Sequence, residues 1–94
     1  MARAFNCAMS PDKDLALRRR AVVFLGQAGI LSLHDLQTHR IVLDRLNRLR
    51  NTLGPVRADG EHAVQAVYKH MHTPASQAAR AHMQQSLDQN YEKF

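Results

Sequence analysis

The sequence predicts an all-α fold, a compact bundle of about four helices with a long second helix at its centre. Three observations carry that prediction. Apolar residues recur at three- and four-residue spacing in four successive segments, and no segment alternates with period two as a strand would. Each segment opens on a Ser, Thr or Asp, and the first three close on a Gly or a Pro, the ordinary punctuation of helices. The 94 residues leave room for one core, and no Pro- or Gly-rich linker, low-complexity tract or internal repeat divides them. Residues 10–94 therefore read as a single helical domain. Residues 1–9, upstream of the first start signal, read as a flexible N-terminal arm.

The first predicted helix starts at Ser10-Pro11-Asp12-Lys13-Asp14, with Ser10 as N-cap, Pro11 at the first helical position and two acids at the positive end of the dipole. Winding it at about 100° per residue gathers Leu17, Ala21, Phe24, Leu25 and Ala28 on one side, and Gly26 and Gly29 then weaken and end it. Ser32-Leu33-His34-Asp35 has the form of a capping box, with Asp in place of the usual Glu or Gln. It opens the second helix, Leu33 to Leu53, whose stripe is Leu36, Val42, Leu43, Leu46, Leu49 and Leu53 and whose stop is Gly54-Pro55. A helix of that length needs partners along it, which makes it the centre of the bundle or the seam of a dimer.

Asp59 is the predicted cap of the third helix, with Ala63, Val64, Val67, Tyr68 and Met71 as its apolar positions. Thr73-Pro74 breaks the chain and starts the fourth, where Ala75, Ala79, Met83, Leu87 and Tyr91 recur every four residues. With only five aromatics, the core must be built from Leu, Val, Ile, Met and Ala. Cys7 is the only cysteine, so no internal disulfide adds stability, and self-association or a bound partner is expected to supply it.

The single thiol also points to a reducing compartment, and the cytoplasm is the expected location. The longest apolar run, Ala21 to Leu25, is far short of a membrane span, and the N-terminus lacks a signal-peptide apolar region.

Catalytic and metal-binding patterns are absent at the level of spacing. His34 and His39 are five apart, about 140° round a helix, and His70 and His72 are two apart, so neither pair aims at one ion. Cys7 has no glycine-rich turn or local histidine beside it and reads as an ordinary thiol. No phosphate loop or dinucleotide glycine pattern occurs, and the eight acids form no identifiable catalytic pair. No enzyme, metal, cofactor or small-molecule substrate is therefore expected. His39 falls within the leucine stripe, which predicts a hydrogen-bonded core or interface residue, the functional alternative being a pH-sensitive seam.

Charge carries the functional signal. The chain is +5 overall, and residues 1–57 hold ten Lys and Arg against four acids, whereas residues 58–94 hold three against four. Of Arg18-Arg19-Arg20, Arg19 points most directly away from the predicted core face. On the second helix Arg40, Arg45 and Arg48 share the outer face with Gln37, Asn47 and Asn51; Arg50 lies at the edge of the stripe and Arg57 follows the turn. Asp44 is spaced to pair with Arg40 and Arg48. Ile41 adds an apolar group to the same outer face, a mixture suited to a protein partner.

These residues predict a small, non-enzymatic cytoplasmic interaction protein, an adaptor, inhibitor or regulatory subunit. Its Arg-rich first half, through Arg19, Arg40, Ile41, Arg45, Arg48 and Arg57, meets an acidic surface on a partner or a second copy. The alternative is nucleic-acid binding through the same arginines. A helix-turn-helix is the obvious form for that alternative, but Gln37 to Val42 continue the helical period where that motif needs its turn.

Overall fold

The apolar run Ala21 to Leu25 is surrounded on several sides, and this decides the architecture. In the computed structural model, which describes residues 1–94, the chain forms five helices and no strand: α1 (Ala2–Met9), α2 (Leu15–Leu31), α3 (Leu36–Asn51), α4 (Arg57–His72) and α5 (Gln77–Asn90). The helix touching all four others is α2, so the predicted central role of the Leu33–Leu53 helix is corrected. A helix with apolar residues all round belongs inside a protein, and α2 buries Ala21, Val22, Phe24, Leu25 and Ile30 as well as both of its glycines.

Those glycines do not end the helix. A Cβ on Gly26 would stand 3.2 Å from Ala63 Cβ, and one on Gly29 would stand 2.9 Å from Val67 and 3.1 Å from Val42. They are the places where α3 and α4 lie closest to α2, which favours residues without side chains. The pairings Gly26 with Ala63 and Gly29 with Val67, together with an ion pair from Arg19 to Asp59, run α4 parallel to α2. At the opposite joint, a Cβ on Gly60 would meet Arg50 N at 2.8 Å, so α4 starts hard against the last turn of α3.

The predicted arm is α1, with Ala4, Cys7 and Ala8 buried in the same apolar cluster as Leu25, Leu46 and Val64. Ser10 closes it: its N–H donates to Cys7 O and its Oγ donates to Asn6 O at 2.6 Å. The expected cap of the next helix is therefore the end of the previous one, and Asp14 caps α2 by accepting from Ala16 N.

The second predicted helix is shortened at both ends, α3 spanning 16 residues. Its buried line is His39, Val42, Leu46 and Leu49, with Leu43 half-buried, while Leu36 and Leu53 lie outside the core. The cap is Asp35 rather than Ser32. Its carboxylate accepts from Thr38 Oγ1 at 2.7 Å and from Thr38 N at 3.4 Å, and these bonds, the hydroxyl first, hold its pKa below the ordinary value of 3.8. Gly54, at φ +143°, makes the turn into α4.

Asp59 sits in the first turn of α4 beyond its N-cap, Val56, and Ser76 instead of Thr73 caps α5 by accepting from Ala79 N at 3.1 Å. α5 packs on α2 alone and buries no residue fully. Met83, Leu87 and Phe94 hold it there, Phe94 meeting Phe24 edge to face at 5.3 Å, whereas Ala79 and Tyr91 of the predicted stripe are exposed.

Candidate interaction surface

Because α3 packs inward through His39, Val42, Leu46 and Leu49, the positions between them form its outer face. Gln37, Arg40, Ile41, Asp44, Arg48 and Asn51 are all exposed there. Leu36, 64% exposed, and Leu53, 84% exposed, extend an apolar contribution to both ends of the helix, and Ile41 is 42% exposed at its middle. Single exposed apolar residues are common, but two on this Arg-bearing helix and a third just past its end form a mixed surface.

The arginines on it are not equivalent. Asp44 takes two of them, Arg45 at 3.0 Å and Arg48 at 3.5 Å, and does not pair with Arg40. Arg45 is half-buried and lies over the ring of Phe5, its guanidinium carbon 5.3 Å from the centroid, so it clamps α1 to α3. Arg40 and Arg57 belong to none of the four ion pairs and are exposed. Arg57 stands at the far end of α3, sharing an open polar hollow with Asn51 and Arg50, and Arg50 pairs with Glu61 across the α3–α4 joint at 3.5 Å.

Five of the six predicted site residues thus lie on or beside α3: Arg40, Ile41, Arg45, Arg48 and Arg57. Arg19 is on α2 and is paired with Asp59 at 3.4 Å, bordering a groove whose floor is Val23 and Gln27. Leu36, Leu53 and Phe5 were not predicted as part of the surface. Leu53 carried a signal, since it directly precedes Gly54-Pro55 and so lies where the helix must already be ending.

Elsewhere, the histidines do not converge: no three His, Cys, Asp or Glu side chains are placed to hold one metal ion. His39 is 6% exposed, and its Nδ1 lies 3.3 Å from Gly29 O, which can only accept, so Nδ1 carries the hydrogen and Nε2 is left without a partner. No helix is long and apolar enough to cross a membrane. Compared with protein-family models, curated proteins and solved structures, the chain matches none of them.

Proposed function

We propose that this chain is a small, non-enzymatic cytoplasmic interaction protein that holds an acidic surface of a protein partner, or of its own second copy, against the outer face of α3. The observation that carries the reading is the combination on that face of unpaired Arg40 and partly satisfied Arg48 with exposed Ile41, flanked by exposed Leu36 at the first residue of α3 and exposed Leu53 beyond its last. Apolar groups beside arginine supply both halves of a protein contact: area to bury, and guanidinium groups that pair with carboxylates in a planar fork. Asp44 gives Arg48 a fixed direction in the free protein and can be exchanged for a partner's acid.

Nucleic acid is the second reading, favoured by the net charge of +5 and by Arg40 and Arg57. Against it, a carboxylate stands in the middle of the face, where it would repel phosphates, and exposed Ile41 stands among the arginines where a phosphate contact would be made. Co-purification from native extract at low salt, with and without nuclease, separates the readings. A stoichiometric, nuclease-resistant protein or a homodimer by light scattering is expected, lost in Arg40→Glu/Ile41→Ala and kept in the distant Lys93→Glu. Salt-labile material that nuclease removes would replace this reading with the second.

A further inference from the structure

We propose that the hollow beneath the α4–α5 connection binds a small free carboxylate carrying a flexible apolar tail. This site is separate from the α3 face and does not depend on the reading given for it. The end of α2, the turn that follows it, the end of α4 and the start of α5 border an open hollow of about 420 Å³, within the range of small-ligand sites. Ile30, Leu31, Leu33, Met71 and Ala75 give it an apolar lining, and His34, His70 and Arg80 stand among them.

Arg80 fixes the polarity of the ligand. It lines this hollow and also the adjoining one, whose other residues include Gln77 and Gln84, so one guanidinium stands where an apolar space gives way to a polar one. No carboxylate lines either hollow, and Arg80 takes part in none of the four ion pairs. The nearest acid in sequence to this lining, Asp35, is engaged by Thr38. An apolar tail among Ile30, Leu33 and Met71 therefore brings an anionic head to Arg80, with Gln77 as a further amide donor, since Gln84 Nε2 already donates to Asp88 Oδ1 at 3.0 Å. His70 Nδ1 lies 3.2 Å from Thr73 O and donates to it, so its neutral Nε2 is an acceptor and the anionic head is left to Arg80. A cationic head is repelled by Arg80, and an uncharged one loses the charge interaction with the guanidinium.

Octanoate is the probe, titrated into the labelled full chain and followed by amide and methyl NMR shifts. Expected are saturable shifts confined to Leu31, Leu33, Met71, Ala75 and Arg80, with octanol binding more weakly and octylammonium not at all. Arg80→Gln, an exposed position that leaves the core untouched, should weaken octanoate by up to about fivefold. Met71→Ala should weaken octanoate and octanol alike. Equal affinity for octanoate, octanol and octylammonium, unchanged affinity in Arg80→Gln, or shifts spread over Val23, Tyr68 and Tyr91 without saturation would each overturn the proposal.

Discussion

Arg18, Ser32 and His39 are the buried polar side chains of the protein, and all three donate to a carbonyl at the end of a helix. Arg18 Nε donates to Ala8 O at 2.9 Å, closing α1, while Ser32 Oγ at 3.2 Å and His39 Nδ1 at 3.3 Å both reach Gly29 O, closing α2. None of the backbone bonds of turns and caps ends on that carbonyl. Arg18→Ala should destabilise by about 1–3 kcal/mol in urea melts, because it strands a buried carbonyl. It should also speed the reaction of buried Cys7 with a thiol reagent, since α1 loses its tie to α2. Ser32→Ala and His39→Leu each leave Gly29 O one donor. The double variant leaves none, so its loss should exceed the sum of the single losses, by about 0.5 kcal/mol or more. Asp35 gives a pH signature: its lowered pKa means the cap contributes fully above 3.8 and less as pH falls through the folded-state value. The stability gap between wild type and Asp35→Ala should therefore narrow in acid, as thermal melts across that range can measure. That His39 is a hydrogen-bonded buried residue was legible from its place among leucines. The burial of Arg18 was not, because in sequence it is one of three arginines and only the end of α1 distinguishes it.

The helices themselves were legible wherever an apolar stripe faced one neighbour. Val42, Leu46 and Leu49 of α3, and Ala63, Val64 and Val67 of α4, occupy the faces their spacing predicts. Reading failed where one segment meets several neighbours. Ala21 to Leu25 is a short run with no clean polar side, and its meaning as the centre of the fold lies in packing that spacing alone does not express. Gly26 and Gly29 carry the same ambiguity, since a glycine near a helix end signals either a stop or a close approach. Gly29→Ala separates the two: propensity alone would stabilise by about 1 kcal/mol. Contact with Val67 and Val42 should instead destabilise by about 1–3 kcal/mol. Gly60→Ala should cost at least as much, because the obstructing atoms include the backbone of Arg50, which cannot rotate away. At the other extreme, α5 rests on α2 alone. Phe94→Ala should raise amide exchange throughout α5 while α4 keeps its protection, since the edge-to-face contact with Phe24 is lost.

Across the whole molecule, the charge asymmetry read from the sequence is distributed among elements with different tasks. Arg18 closes a helix, Arg19, Arg45 and Arg50 tie one element to another, and Arg40, Arg48 and Arg57 are left facing outward. A count of basic residues cannot make that division, because it depends on which acid or ring the fold brings near each guanidinium. The parallel pairing of α2 with α4 also bears on how the protein is made. Gly29 of α2 meets Val67 only after the whole of α3 and most of α4 have been added to the chain. At ordinary rates of synthesis that interval lasts roughly 2–8 s. Throughout it, the most apolar helix of the protein has half its neighbours missing, so the newborn chain is most exposed to chaperones and to aggregation before its fourth helix is complete.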